Sequence, residues 1–473
     1  MVKTNRIVII GCSGCGAMAA LMVKRLQPSI DITIIRELEE NGLLTRCATP
    51  YICCGNVTVD ASYKSDDIFT EKGIRLINEA AVEIDRNKKT VTTTSGDNYS
   101  YDKLVLATGS TPMILPISGT KLPGVFTLRT SNDAINILNW INSKRIKNCV
   151  LLGAGAIGIE KAYLLSRQGV KVTLVEMLGH IMPNILDEDM SHEVQEYMEK
   201  KGVRLKLGQK VTAINGKDKV ESLTLASGEL LNADMVVISA GTRCNIELAE
   251  KAKLQQGKLG LKTNEYLQTS DPDIFAGGDL IEYQNQATGK PSLGQLRPNA
   301  VVAGRVIAKN ILGFNIKYPP LINSFCTKFF DKSIAGAGIS EAEANREGIE
   351  VITAKQKSTS KHSMMQGRKP YTVKLIFDKK NQKLIGGQIV SDAKSSIKHI
   401  DVIGLAIRCG LKIVDLTTLR CAGQPELSPD PGKEPISLAA EIAFEKLYNE
   451  QTLNKDIVDS IKQSNHATGE VKY

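Results

Sequence analysis

The stretch Gly153-Ala154-Gly155-Ala156-Ile157-Gly158-Ile159-Glu160 decides the fold. A short apolar run, Asn148–Leu152, precedes it, and a segment with helical spacing, Ile157–Gln168, follows its opening glycines. The next run, Lys171–Glu176, alternates in polarity as a strand does. Strand, glycine-rich turn, helix and strand together predict a βαβ unit that binds the pyrophosphate of a dinucleotide at the helix N-terminus.

An acidic residue supports this prediction. Glu176 stands 18 residues after Gly158, at the end of the second strand. A carboxylate there accepts hydrogen bonds from a ribose diol and repels a 2′-phosphate. We therefore expect this turn to bind NADH, with NADPH disfavoured.

A second glycine-rich turn lies near the N-terminus and has the same layout. Gly11-Cys12-Ser13-Gly14-Cys15-Gly16 follows the apolar run Arg6–Ile10, and Ala17–Leu26 has helical spacing before the β-branched run Ile32–Ile35. Ser13 replaces the middle glycine of the motif, which a small side chain allows. Glu37 is the expected ribose ligand, although the adjacent Arg36 leaves the register open. A glycine-rich turn that binds no cofactor is the alternative.

The change of pattern after residue 325 predicts a different kind of domain. Ser333–Ile339, Thr372–Asp378 and Lys383–Val390 are typical of antiparallel strands, and Ser395–Gly410 and Ile436–Tyr448 of helices. The predicted fold class is α/β, with two Rossmann-like nucleotide-binding domains and a C-terminal α+β domain.

Composition excludes several classes of protein. The 473 residues are 42% hydrophobic and 23% charged, which is ordinary for a globular chain and argues against intrinsic disorder. Aromatic residues make up 5%, and the net charge of +9 is spread along the chain, so we expect no nucleic-acid partner. No run of about 18 apolar residues predicts a membrane span. Ten dilute cysteines, without a zinc-binding spacing, predict no metal site and a reducing cytoplasm.

Three further segments complete a recognisable set. They are Tyr101–Ser110, which ends in Ala-Thr-Gly-Ser, Ser270–Asp279, which ends in Ala-Gly-Gly-Asp, and Arg297-Pro298-Asn299-Ala300. With both glycine turns, the chain resembles the pyridine nucleotide–disulfide oxidoreductase family over about residues 5–445.

The resemblance implies an FAD domain into which an NAD domain is inserted, followed by a dimerisation domain, and hence a homodimer. The implied boundaries are 1–120 and 245–322 for FAD, 121–244 for NAD, 323–448 for dimerisation and 449–473 for a tail. Besides the glycines and Ser13 of the two turns and the carboxylates Glu37 and Glu176, the resemblance implies five further cofactor-binding residues. They are Thr108, Gly109, Asp279, Glu160 and Gly241.

The redox centre resembles the single-cysteine branch of this family. Cys47-Ala48-Thr49-Pro50-Tyr51 has the C-x-x-P-Y arrangement, while Cys47 to Cys53 is C-x₅-C and does not fit the two-cysteine C-x₄-C pattern. The resemblance makes Cys47 the redox-active thiol. A position near a helix N-terminus, beside Arg46 and with an oxidised flavin above it, predicts a lowered pKa for Cys47. Cys53 and Cys54 are expected to pack, with a second redox thiol at Cys53 as the alternative.

The C-terminal domain departs from the family pattern. Where the two-cysteine branch carries a His-Pro motif with a general base, this chain has Gln424-Pro425. His362, in Lys361-His362-Ser363, is the candidate acid–base residue, and an exposed loop histidine without a role is the alternative.

These features predict a flavoenzyme that passes electrons from NADH through FAD and Cys47 to a disulfide, persulfide or coenzyme A-type sulfur acceptor. Two alternatives remain. The first is an NADH oxidase or peroxidase with O₂ or peroxide as acceptor. The second is an electron-transfer subunit of a larger complex.

Overall fold

A computed structural model of the chain describes residues 4–37, 42–144 and 146–449. The described residues form two compact units. The first consists of those within Met1–Ile181, Met198–Asn285 and Gly289–Asn323, and the second of Met182–Tyr197, Gln286–Thr288 and the described residues from Ser324 onward. The predicted tail, 449–473, lies outside the described residues except for its first residue.

The first unit contains two five-stranded parallel sheets. In spatial order, the strands of one sheet are Ile274–Ala276, Lys103–Leu106, Arg6–Ile10, Asp31–Ile35 and Ile74–Ile77. Those of the other are Val125–Phe126, Met235–Ile238, Asn148–Leu152, Lys171–Val175 and Arg204–Lys206. Their central strands are buried over four of five residues, because helices cover both faces of a parallel sheet. Both predicted βαβ units are thereby confirmed.

The helix after each central strand begins within the glycine-rich turn. The first runs Gly14–Leu26 and the second Ala156–Arg167. The remaining helices before residue 324 are Thr49–Ile52, Val59–Ser62, Asp67–Thr70, Ser131–Lys144, Glu188–Lys200, Glu247–Lys251 and Arg297–Ile311, of which Glu188–Lys200 lies mostly in the second unit. The smaller antiparallel sheets are Ala81–Asp85, Thr90–Thr93 and Asn98–Ser100; Val211–Asn215, Ser222–Leu225 and Leu230–Asn232; Ser110–Pro112 and Thr242–Cys244; Leu43–Leu44 and Tyr63–Lys64; and Glu282–Gln284 and Pro291–Leu293.

The second unit is built on one antiparallel sheet. Its strands, in spatial order, are Phe325–Phe329, Lys332–Gly338, Leu384–Ser391, Pro370–Asp378 and Val351–Thr359. Its helices are Glu341–Arg346, His399–Cys409, Ile413–Thr417 and Pro435–Asn449. The predicted α+β fold of this region is confirmed. The two outer strands, Phe325–Phe329 and Val351–Thr359, were not predicted.

None of the helices in the described parts of the chain is long and apolar enough to cross a membrane. The division into two compact units differs from the predicted boundaries of three domains, which stay predictions. Segment Met182–Tyr197, for example, clusters with the antiparallel sheet although it falls within predicted domain 121–244.

Candidate dinucleotide and thiol site

The first glycines of the two turns have the same backbone conformation. Gly11 has φ +101° and Gly153 has φ +103°, a region that residues with a side chain rarely adopt. Each N–H donates to the last residue of the neighbouring strand, Gly11 to Ile35 O at 2.9 Å and Gly153 to Val175 O at 2.8 Å. A Cβ at Gly11 would lie 2.3 Å from Ala107 O, so the turn excludes any larger residue.

The last glycines of the turns allow helix and strand to approach closely. A Cβ on Gly16 would lie 2.0 Å from Gly11 O, and one on Gly158 would lie 2.1 Å from Gly153 O. By contrast, a Cβ at Gly155 would meet nothing within 4 Å, so the turn opens onto free space at the helix N-terminus. Ser13 is half-buried at the start of the first helix. Both turns therefore fit a dinucleotide pyrophosphate.

A fixed carboxylate lies beside the second turn. Glu176 Oε2 accepts from Ala154 N at 2.8 Å, and its Oε1 accepts from Leu178 N at 3.0 Å. The residue is only half-buried, so the carboxylate is oriented by backbone while still reachable by a ligand. This arrangement suits recognition of a ribose diol.

The first turn has an arginine where the second has that glutamate. Arg36 N donates to Ile77 O and Glu176 N donates to Lys206 O, so the two residues occupy equivalent places after their strands. Arg36 is buried, its Nη atoms pair with both oxygens of Asp66, and its Nε donates to Asn78 Oδ1 at 2.9 Å. Glu37 is exposed one residue further on. In the structure, Arg36 and not Glu37 therefore occupies the place that corresponds to Glu176. The binding of a ribose by Glu37 stays a prediction.

Asp279 lies in a cluster that contains an arginine the sequence did not single out. Its Oδ2 accepts from Ser110 Oγ at 3.1 Å and from Arg129 Nη2 at 3.1 Å. A Cβ on Gly109 would lie 3.5 Å from that same Arg129 Nη2. The structure thus brings the predicted residues Gly109 and Asp279 to one arginine. Arg129 lies two residues before the helix Ser131–Lys144, and that position alone gives no signal of a site.

Two other predicted residues lie at connections of this unit. Thr108 Oγ1 donates to Asn245 O at 2.9 Å, in the segment that follows the strand Lys103–Leu106. Gly241 O accepts from Met113 N at 2.9 Å, between the second sheet and the two-stranded ribbon. Their roles in cofactor binding stay predictions.

Cys47 is exposed in the short 3₁₀ turn Arg46–Ala48, before the one-turn helix Thr49–Ile52. The protein groups alone raise its pKa, so the helix N-terminus and Arg46 do not lower it as expected from sequence. Partial desolvation of the thiol raises this pKa most, Arg297 opposes it and Glu160 adds to it. A single helical turn supplies little dipole, and the Arg46 guanidinium donates to Arg129 O at 3.0 Å.

The next two cysteines form a buried pair. Cys53 Sγ lies 3.8 Å from Cys54 Sγ and donates to Pro50 O at 3.0 Å. Hydrogen bonding from Cys54 lowers the pKa of Cys53. Gln168 Nε2, at the C-terminal end of the helix Ala156–Arg167, donates to Cys54 O. The expectation that this pair packs in the interior is consistent with its burial.

A lysine that the sequence analysis missed lies buried next to this pair. Lys161 is 1% exposed, Nζ lies 3.5 Å from Ser239 Oγ, and burial lowers its pKa to about 8. Cys53 and Cys149 oppose that shift through their charge. Lysine within a helical pattern gives no sequence signal of burial, because most lysines are solvated.

In the second unit, His362 is part of a hydrogen-bonded loop. Its Nε2 lies 3.3 Å from Asp430 Oδ2, and its backbone N donates to Pro425 O at 3.0 Å. The adjacent Lys361 pairs with Glu426. His362 is therefore not a free loop histidine, and its acid–base role stays a prediction.

Comparison with known proteins gives the family. Residues 5–304 match the model described as pyridine nucleotide-disulphide oxidoreductase, and residues 324–434 match the dimerisation domain of the same family. An NADH oxidase of Methanocaldococcus jannaschii is 35% identical over 452 residues, 94% of this chain and 100% of that protein.

Two further relatives have names that concern sulfur. An NAD(P)H coenzyme A polysulfide/persulfide reductase of Pyrococcus horikoshii is 31% identical over 430 residues, 90% of this chain and 96% of that protein. The solved structure of an NAD-dependent persulfide reductase from A. fulgidus is similar with a TM-score of 0.89 and 33% identity, covering 93% of this chain and 83% of that one.

Proposed function

Since the chain belongs to the pyridine nucleotide-disulphide oxidoreductase family, we propose that it oxidises NADH with FAD and reduces a small sulfur compound through Cys47. The sulfur compound is a disulfide or persulfide, with coenzyme A derivatives as the class that the name of the P. horikoshii relative suggests. The match to the dimerisation domain supports a homodimer. The residues 1–120 and 245–322 would hold FAD, 121–244 NADH, and 323–448 the second copy.

The observation that carries this proposal is the contrast between Cys47 and Cys53. Cys47 is exposed, whereas Cys53 is buried and engaged with Cys54 and Pro50. An exposed thiol can attack a sulfur substrate, and a buried thiol bonded elsewhere is poorly placed to resolve the product as an internal disulfide. This arrangement supports chemistry with one cysteine.

The proposed division of roles follows from the two turns. Gly11, Ser13, Gly16, Thr108, Gly109 and Asp279 would hold FAD, and Gly153, Gly155, Gly158, Glu160, Glu176 and Gly241 would hold NADH. Glu37 is proposed as a further FAD ligand. FAD, when bound, supplies the transfer of two electrons between nicotinamide and sulfur.

Side chains of the protein would bind the nicotinamide dinucleotide and attack the acceptor. Glu176, fixed by two backbone N–H groups, would hold the ribose diol of NADH and repel the 2′-phosphate of NADPH. The Cys47 thiolate would attack the acceptor sulfur to form a mixed disulfide, and the positive charge of Arg297 would stabilise that thiolate. In the second unit, His362 would be the acid–base residue.

Reoxidation of the flavin without oxygen tests the proposal. The holoenzyme is reduced with NADH anaerobically, and a persulfide, coenzyme A disulfide or glutathione disulfide is then added while the flavin spectrum is recorded. We expect rapid reoxidation by at least one of these, and its loss in Cys47→Ser. Cys326→Ser, which removes another exposed thiol, is the matched control. Undiminished turnover in Cys47→Ser would overturn the role of Cys47.

A second candidate function is NADH oxidation with O₂ or peroxide as acceptor. The name of the M. jannaschii relative favours it, and an exposed single thiol is also suited to cycling through a sulfenic acid. Stoichiometric oxygen consumption in the absence of any sulfur substrate would support this function. Reoxidation only by sulfur compounds would exclude it.

A further inference from the structure

The guanidinium of Arg36 holds a carboxylate from another part of the chain beside the first turn. Arg36 Nη1 donates to Asp66 Oδ1 at 2.8 Å, Nη2 donates to Asp66 Oδ2, and Nε donates to Asn78 Oδ1 at 2.9 Å. All three residues belong to the first unit. The side chain of Arg36 is 7% exposed and that of Asp66 is 34% exposed. The guanidinium is therefore buried, while its carboxylate partner remains reachable by a ligand.

The position of Arg36 corresponds to that of Glu176 at the second turn. Each residue directly follows the strand whose last carbonyl accepts from the first glycine of its turn. Glu176 extends to the second residue of its turn, where Ala154 N donates to Oε2 at 2.8 Å. The guanidinium of Arg36 likewise lies within hydrogen-bonding reach of the side chain of Cys12, the second residue of the first turn. Both side chains therefore run from the end of a strand toward the turn.

The carboxylates of Glu176 and Asp66 are held in the same way. An ionised carboxylate has about four lone-pair sites, shared equally by its two oxygens. The backbone N–H groups of Ala154 and Leu178 occupy one site on each oxygen of Glu176. Two N–H groups of Arg36 occupy one site on each oxygen of Asp66. The sites that remain on each carboxylate match the two hydroxyl donors of a ribose diol.

We propose that Asp66 is the carboxylate that binds the adenosine ribose of FAD at the first turn, with Arg36 as the positioning residue that holds it there. This inference deepens the proposed function and rests on its assignment of FAD to the first turn. The acidic residue is thus supplied from 30 residues further along the chain, through an arginine, instead of from the end of the second strand. A bidentate pair fixes the direction of the carboxylate as well as its position.

The test compares FAD with an analogue that carries 2′-deoxyadenosine in place of adenosine. Full-length protein from which FAD has been removed is titrated with each flavin, and flavin fluorescence gives the dissociation constants. We expect the parent to bind the analogue about tenfold more weakly than FAD, because the missing hydroxyl would donate to a charged acceptor. In Asp66→Asn this ratio should fall to about two, since a neutral amide oxygen is a weaker acceptor. A general defect in folding would weaken both flavins and leave the ratio unchanged.

Two double variants test the same point without leaving a buried guanidinium unpaired. Arg36→Met with Asp66→Asn removes both charges and should also lower the ratio to about two. Arg36→Glu with Asp66→Asn returns a carboxylate to the position that corresponds to Glu176, and should restore the ratio to about ten. Asp67→Asn is the matched control, because it changes the neighbouring carboxylate, which accepts from Ser65 Oγ at 2.7 Å. This control should bind both flavins as the parent does.

Three results would overturn the role of Asp66. The first is a parent ratio that persists when Arg36→Met and Asp66→Asn are combined. The second is a parent that binds FAD and the deoxy analogue equally, since no carboxylate would then bind the diol. The third is a loss of the ratio in Glu37→Gln but not in Asp66→Asn, which would assign the ribose to Glu37. A parent protein that binds no FAD would refute the proposed function instead.

Discussion

Glu160 and Lys161 are adjacent on the second dinucleotide helix and act on different cysteines. Glu160 raises the pKa of Cys47, whereas Lys161 lowers that of Cys53. Lys161 is buried within the protein, while Cys47 is exposed. The helix that begins at the second glycine-rich turn therefore acts electrostatically on both the proposed reactive thiol and the buried thiol pair.

Lys161 should make the stability of the protein depend on pH. Its pKa is about 8 in the folded state against 10.5 for the ordinary value, so the unfolded state binds more protons between these limits. The free energy of unfolding should accordingly rise with pH across this window, by about 3 kcal/mol for the full shift. Denaturant unfolding of Lys161→Met, compared with the parent from pH 7 to 10.5, should lack this rise.

The exposed Lys171 provides the control for that measurement. Lys171→Met should retain the rise, since a solvated lysine loses no hydration on folding. Lys161 also lowers the pKa of Cys53, so the part of the rise that Lys161→Met removes includes this coupling, whereas Lys171→Met leaves it intact. A rise of the same size in Lys161→Met would contradict the burial of a charged lysine.

The reactivity of Cys47 should respond in opposite directions to two charges. Glu160→Gln removes a charge that raises its pKa, and Arg297→Gln removes one that lowers it. Near pH 7.5 we expect alkylation by iodoacetamide to become about fivefold faster in the first variant and slower by a similar factor in the second, about 1 kcal/mol each. Mass spectrometry of the Cys47 peptide measures both rates. Equal rates in the two variants would show that neither charge acts on the thiol.

The pair of Arg36 and Asp66 should contribute to stability at the first turn. Arg36→Gln leaves Asp66 without its bidentate partner, which should lower the free energy of unfolding by about 2 kcal/mol. The loss is at the lower end for such pairs because Asp66 remains partly in contact with solvent. Urea unfolding of the FAD-free protein measures it.

Glu37→Gln separates ribose binding from stability. If Glu37 holds the ribose, this variant should bind FAD about tenfold more weakly with unchanged urea unfolding, since about 1.4 kcal/mol is a typical charge-assisted hydrogen bond. Titration of flavin fluorescence gives the dissociation constant. Unchanged FAD affinity would remove Glu37 from the site and leave Arg36 and Asp66 as the groups next to the turn.

Glu176 should determine the choice between NADH and NADPH. Removing its charge in Glu176→Gln should lower the ratio of KM for NADPH to KM for NADH by about tenfold, since one like-charge contact is worth about 1.4 kcal/mol. The glutamine oxygen can still accept from Ala154 N, so the turn keeps its shape. Glu221→Gln, an exposed carboxylate of the same unit, is the control. An unchanged ratio would count against recognition of the ribose by Glu176.

Local requirements made much of this fold predictable. Gly11 and Gly153 adopt a backbone conformation that other residues avoid, and the buried parallel strands before them are continuous apolar runs, so both βαβ units could be recognised from the sequence. The three central antiparallel strands of the second unit were also predicted, from the change of pattern after residue 325. The outer strands Phe325–Phe329 and Val351–Thr359 were missed, because an edge strand has weaker patterning.

The sequence by itself determined the dinucleotide turns, the carboxylate at Glu176 and the single-cysteine pattern at Cys47, because each depends on neighbours along the chain. Only the tertiary structure decided that Arg36 stands in the place of a carboxylate, that Lys161 is buried and that His362 meets Asp430. It also decided that the pKa of Cys47 is raised. Burial and charge pairing are set by residues distant in sequence, and no local pattern records which of them will meet.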